Sequence, residues 1–191
     1  MSYTPRTTAP DTTDPRWINV NYGGYNRCIV RNSSGSVLPN CTGYVHGRWM
    51  EIAGRTSETS LSLGNANTYY NKSDGYSRSS TPSLGAVACY TGSLGHVAIV
   101  EEISSDGNSI TLSESNYSGA RFNIRTVTKS NGWNIPGSIV KFQGFIVNPW
   151  VDTSGGTEPP PSPEPDPGTG EDTKNKKIWI YAKYKIRRKK L

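Results

Sequence analysis

From residue 86 onward the chain alternates short β-branched or aromatic runs with Gly, Ser, Asn and Asp turns, whereas its clearest helical stretch lies before residue 55. That order, helix first and then consecutive strands, narrows the fold more than any other feature, because strands joined by short turns pair antiparallel. It predicts an α+β class, with N-terminal helices packed on an antiparallel sheet of about five to six strands. The helix is expected in CTGYVHGRWMEIAG, where Asn40 is a good N-cap and Gly54 a natural C′ stop. Val45, Trp49 and Ile52 recur there at helical spacing. A shorter helix is expected after Gly64, in NANTYYNK. Strands are expected at AVACY (86–90), HVAIVEEI (96–103), SITLSE (109–114), RFNIRTV (121–127) and QGFIVN (143–148).

The flanks read differently. Residues 1–16, rich in Thr, Pro and Asp, read as a flexible lead-in to a folded domain over 17–153. SGGTEPPPSPEPDPGTGEDT (154–173) reads as a semi-rigid acidic linker, since its prolines favour an extended backbone and its charges repel. Residues 174–191 read as a basic-aromatic tail or the start of a further module. Charge follows these boundaries: the net +6 divides into +2 for residues 1–153, −5 for 154–173 and +9 for 174–191. The folded domain is therefore near neutral, which argues against nucleic acid as its partner. No stretch reaches the ~18 apolar residues of a membrane span, and the opening residues lack the basic-then-apolar pattern of a secretory signal.

Three cysteines, at 28, 41 and 89, are too few for a disulfide framework and lack metal-site spacing, so no cofactor or metal is expected. A thiol attacks only as thiolate, a state favoured at a helix N-terminus and beside an imidazolium. Cys41 follows the N-cap and falls in the first turn, where the helix dipole is most positive. Its N–H, one of the unpaired donors there, is also placed to help bind an oxyanion. Cys89 lies inside an apolar strand and Cys28 has no helix start behind it, so both read as structural. Of the two histidines, His46 is five residues past Cys41 and so about 140° round the helix, pointing away. His96, directly after Gly95 at a strand end, is left as the base.

A base needs an acceptor to hold its ring. The turn SSDGNS between two expected strands offers two registers. A three-residue loop, Ser105-Asp106-Gly107, sets His96 opposite Asn116, with Glu114 opposite Ala98 on the same face. A two-residue Asp106-Gly107 loop slides the register by one and turns Glu114 and Asn116 away. Apolar patterning does not separate the two, and the need for an acceptor selects the first.

PNCTGYVHGR around Cys41, LGAVACY, GHVAIVEEI around His96 and SESNYSG around Glu114 and Asn116 together resemble the CHAP family (cysteine, histidine-dependent amidohydrolase/peptidase). LGNANTYY resembles a Gly-Asn-Ala stretch that often follows the family's first helix. The resemblance runs in the family's order over roughly residues 17–150. It implies a papain-like fold and cleavage of an amide bond in bacterial peptidoglycan, either N-acetylmuramoyl-L-alanine or a stem-peptide or cross-bridge bond. It carries over Cys41 as nucleophile, His96 as base, and Glu114 with Asn116 as orienting groups.

The sequence departs from the family in two places. Some phage members bind calcium through acidic residues before the nucleophile, whereas no Asp or Glu lies between Asp14 and Cys41. Gly43 stands where many members carry an aromatic residue.

The expected partner is peptidoglycan, met at the cell wall by a phage lysin or virion-borne hydrolase, with residues 174–191 holding anionic wall polymer. Two other readings stay open on the sequence: an amidase acting on a small intracellular conjugate, and a silent wall-binding domain.

Overall fold

The computed structural model describes residues 3–11, 14–18, 38–54, 59–116 and 119–152. The chain divides into two units, Met1–Gly156 and Thr157–Leu191, and the second lies wholly outside the described residues. So do Cys28, the expected linker and the basic tail.

The architecture is α+β and papain-like. A four-residue helix α1 (Pro15–Ile18) and a twelve-residue helix α2 (Cys41–Ile52) precede the sheet. The strands are β1 (Arg78–Ser79), β2 (Val87–Thr91), β3 (His96–Ile103), β4 (Ser109–Glu114), β5 (Asn123–Thr128) and β6 (Lys141–Ile146). They form one antiparallel sheet in the order β1-β6-β2-β3-β4-β5.

Helix α2 starts and stops where its sequence directs. Asn40 is extended, and its Oδ1 accepts from the Thr42 N–H at 2.9 Å and the Gly43 N–H at 3.3 Å. That satisfies donors a helix start leaves unpaired, an effect worth about 1 kcal/mol. At the far end Gly54 takes a φ of +65°, a conformation that ends a helix cheaply only in glycine. The second expected helix is a single 3₁₀ turn, Ala66–Thr68. The Asn67 N–H there bonds the Leu94 carbonyl, so the backbone is tied to the loop before β3 instead of continuing.

The sheet is covered on both faces, which explains why β2 and β3 read as continuous apolar runs. Val87, Cys89, Val97 and Ile99 pack with Val45, Trp49 and Trp17 on the α2 side. Ala88, Tyr90, Ala98 and Val100 pack on the other side against Leu112, Phe145 and Trp133. The stretch between β5 and β6 supplies Trp133 and Ile135 to this second layer.

Val45, Trp49 and Ile52 mark one face of α2, but the helix is buried all round from Cys41 to Met50. Trp17 lies against Gly47 so closely that a Cβ there would come within 2.5 Å of the indole. Part of the expected lead-in is also fastened down. The Tyr3 hydroxyl donates to Glu101 at 2.6 Å, the Arg6 N–H donates to the same oxygen at 2.9 Å, and Arg6 pairs with Glu51.

His46 is fully buried, as its turn away from Cys41 implies. One ring nitrogen meets the Thr59 hydroxyl at 2.8 Å and the other the Ser62 carbonyl at 3.0 Å. Burial lowers its pKa to about 4, against a smaller opposing effect of the Ser62 carbonyl. His46→Ala opens a cavity and strips both partners, so a loss of roughly 2–4 kcal/mol is expected. Urea unfolding measures it; a loss below about 1 kcal/mol would mean that the ring is not part of the core's support.

Candidate active site

The N-terminus of α2 meets the ends of β3 and β4. Cys41 is the first residue of α2, buried to 9% exposure, with Asn40 capping the two donors after it. The Asn40 N–H in turn donates to the Ser115 hydroxyl at 3.0 Å. Ser115, fully buried just past β4, thus ties the helix start to the strand that carries Glu114.

His96 opens β3 directly after Gly95, whose φ is +71°. A Cβ on Gly95 would lie 2.4 Å from the Asn67 N and 2.7 Å from the Tyr90 carbonyl oxygen. Glycine is therefore required for the chain to bring His96 in so close to the turn below it.

The His96 Nε2 sits 2.7 Å from Glu114 Oε2. Cys41 also interacts with the ring, and with Nε2 engaged by Glu114, Nδ1 is the nitrogen left to face it. Burial works to lower the His96 pKa, but the hydrogen bonds and charges of Cys41 and Glu114 outweigh it and hold it near 9. Burial works to raise Glu114, yet His96, Asn123 and Arg125 bring it down to about 2. Glu114 is therefore a carboxylate and His96 an imidazolium at neutral pH, and Cys41 lies beside them.

The register at the site agrees with expectation, but the turn does not. The three-residue loop is wrong: Ile103 pairs with Ile110 and Glu102 with Thr111, one residue out of the expected register. Asp106 explains this. Its carboxylate accepts from the Ser104 hydroxyl at 2.6 Å and from the Asn108 N–H at 3.0 Å, which stabilises a longer loop closed between Ser104 and Ser109. A bulge between Val100 and Glu102 then absorbs one residue, so Val100 pairs with Leu112 and Ile99 with Ser113. That is the register which brings Glu114 to the His96 side. The ladder ends there, so His96 and Asn116 are not ladder partners; both line one cavity of about 460 Å³.

Three residues at the site escaped the sequence reading: Ser115, Asn123 and Arg125. Asn123 Nδ2 donates to Glu114 Oε1 at 3.0 Å, Arg125 Nε donates to the same oxygen at 2.7 Å, and Arg125 Nη2 also pairs with it. Alternation along β5 puts Asn123 and Arg125 on one face, but which face depends on the β4–β5 pairing, Glu114 opposite Asn123. Among the described residues no three His, Cys, Asp or Glu side chains gather as a metal site. No helix among them is long and apolar enough to cross a membrane.

A family model described as "CHAP domain" matches residues 31–116, a segment that contains Cys41, His96, Glu114 and Asn116. By that match the segment is similar to a CHAP domain. The chain is 37% identical over 111 residues to the probable autolysin SsaALP of Staphylococcus aureus, covering 56% of this chain and 37% of that protein. It is 37% identical over 105 residues to the probable autolysin LDP of the same species, covering 53% of this chain and 36% of that protein. It is equally similar over 105 residues to the N-acetylmuramoyl-L-alanine amidase sle1 of Staphylococcus epidermidis, covering 53% of this chain and 31% of that one. The chain thus matches only about a third of the length of these curated relatives. They are bacterial proteins, not phage ones. No solved structure gives a significant match.

Proposed function

We propose that the CHAP domain hydrolyses an amide bond in bacterial peptidoglycan through a thiolate at Cys41. The observation that carries the reading is Cys41 at a helix N-terminus beside the His96–Glu114 pair, a setting of the kind in which a thiolate is favoured. The autolysin and amidase names of the relatives supply the substrate class.

In this reading the thiolate attacks the amide carbonyl carbon. The oxygen gathers charge near the Cys41 N–H, for which no acceptor is found among the described residues. The C–N bond breaks as His96 passes its proton to the leaving amine, and a thioester remains. His96, now neutral, takes a proton from water, which attacks the thioester and regenerates the thiolate. Glu114 holds the ring throughout, and Asn116 borders the cavity as a second polar orienting group.

Zymography on purified peptidoglycan tests the activity. The new N-terminus separates the possible bonds: alanine alone for an amidase, a stem or cross-bridge residue for an endopeptidase. Intact walls after prolonged incubation would remove the hydrolase reading and favour a silent binding domain.

The raised pKa of His96 sets the alkaline limit. The imidazolium is kept up to about 9, so kcat/KM is expected to fall as pH rises through about 9. The same sign holds for stability: the pair's contribution is complete below the ordinary histidine value and is lost as pH rises through the folded one. A pH profile whose upper limb lies near the unperturbed value, roughly 6.5, would show that His96 is not held by Cys41 and Glu114.

A further inference from the structure

Arg125 is more than a partner for Glu114. Its Nε and Nη2 are both spent on Glu114 Oε1, on the inner side of the β4–β5 pair. Its Nη1 has no partner among the described residues, and the side chain keeps 27% of its surface exposed. Arg125 lines the cavity shared with His96, Asn116 and Ser138. The residues lining this cavity include no carboxylate, and Glu114 behind it is fully buried. A guanidinium edge with two free N–H donors facing a polar cleft is built to take an acceptor, and a carboxylate is the strongest one a peptide offers. Arg125 also lies beyond residues 31–116, so nothing in the matched segment assigns it a role.

We propose that Arg125 reads the substrate: its Nη1 edge binds a free carboxylate of the peptide being cut, so the enzyme prefers wall peptides with free carboxylates over amidated ones. This rests on the hydrolase reading above and adds the substrate class to it. One guanidinium does two things. Its inner edge fixes Glu114, and through it His96, while its outer edge fixes the peptide. Substrate and base are thereby referenced to the same rigid group. A charge-assisted contact of this kind is worth about ten- to a hundredfold in kcat/KM.

The test uses the full chain and two preparations of one peptidoglycan: native, and with its free carboxyls converted to carboxamides by carbodiimide and ammonia. Wild type is expected to release peptide from native walls at least about tenfold faster than from amidated ones. Arg125→Gln is expected to be slow on both, with the preference gone, and Arg125→Lys to restore part of it. Amidation also changes the overall charge of the wall, but the basic tail is common to all variants. The difference in preference between wild type and Arg125→Gln therefore isolates the cleft.

Equal wild-type rates on both walls overturn the proposal and leave the hydrolase reading standing. A preference that survives unchanged in Arg125→Gln, with both rates lowered alike, makes Arg125 a positioning residue for Glu114 only and also overturns it. Failure of wild type on either wall takes down the hydrolase reading and this inference with it. Should Arg125→Gln not fold, Arg125→Lys takes its place, and its preference for native walls must fall below that of wild type; an unchanged preference overturns the proposal.

Discussion

Cys41→Ser is expected to lower wall lysis by at least about a thousandfold while leaving the unfolding midpoint close to wild type. The hydroxyl matches the thiol in shape at the start of α2, and the Asn40 cap does not involve the Cys41 side chain. What is lost, in the proposed mechanism, is the nucleophile. A serine hydroxyl is far less acidic than a thiol, so at neutral pH it does not ionise beside His96 and stays a poor nucleophile. Cys89 is the contrasting case. It is fully buried between strands, and burial pushes its thiol well above the usual range, so it is held as a neutral, inert group. Cys89→Ser is expected to cost some stability, because it buries a hydroxyl among apolar neighbours, but to keep most of the activity. Turbidity loss of whole cells and thermal unfolding measure the two effects separately. Lysis by Cys41→Ser at anything near the wild-type rate would remove Cys41 from the mechanism.

The site was legible to the extent that its parts are local. Asn40 and Gly54 are turn chemistry, and they place Cys41 in a first helical turn without any tertiary information. β3 and β4 begin and end where their flanking Gly, Ser and Asn residues put them. The hairpin shows the limit. Glu114 was placed on the side of His96 through the wrong loop, because two one-residue departures cancel: the turn held by Asp106 and the bulge at Glu101. Neither is written in the apolar pattern. Glu101 and Glu102 read alike in sequence, yet one is 1% exposed and the other faces solvent. The difference is made by Arg48, fifty-three positions away. Arg125, Asn123 and Ser115 were missed for the same reason, since each becomes part of the site only through the β4–β5 pairing or the contact of α2 with the end of β4. The N-terminal segment read as loose because Thr, Pro and Asp give no periodicity, while its fastening depends on single side chains, Tyr3 and Arg6, that find partners on β3 and α2.

Breaking the Arg48–Glu101 pair is expected to be the most destabilising single change on the helix-facing side of the sheet. Glu101 is the residue absorbed by the bulge, and its carboxylate receives five donors. Arg48 Nε at 3.0 Å and the Ser113 hydroxyl at 2.6 Å reach one oxygen. Arg48 Nη2 at 2.9 Å, the Tyr3 hydroxyl at 2.6 Å and the Arg6 N–H at 2.9 Å reach the other. Glu101→Gln removes the charge but not the shape, and leaves the Arg48 guanidinium, 5% exposed, without the carboxylate that meets its Nε and Nη2. Removing one partner of a buried pair costs about 3–5 kcal/mol. Glu51, 2.6 Å from Arg48 Nη1, offsets part of this, so a loss of about 3 kcal/mol is expected. That is a large share of a domain's usual stability of about 5–15 kcal/mol. Arg48→Met with Glu101→Leu is expected to recover most of the loss, because an apolar pair carries no desolvation cost. Lytic activity should not return with stability in the double variant. The bulge that brings Glu114 to His96 is held by hydrogen bonds to the Glu101 carboxylate, and a leucine offers none. Urea unfolding and lysis assays on the three proteins separate the two effects. A Glu101→Gln protein within about 1 kcal/mol of wild type would mean that the pair is not what holds α2 to β3. Full activity in the stable double variant would mean that the bulge keeps its place without it.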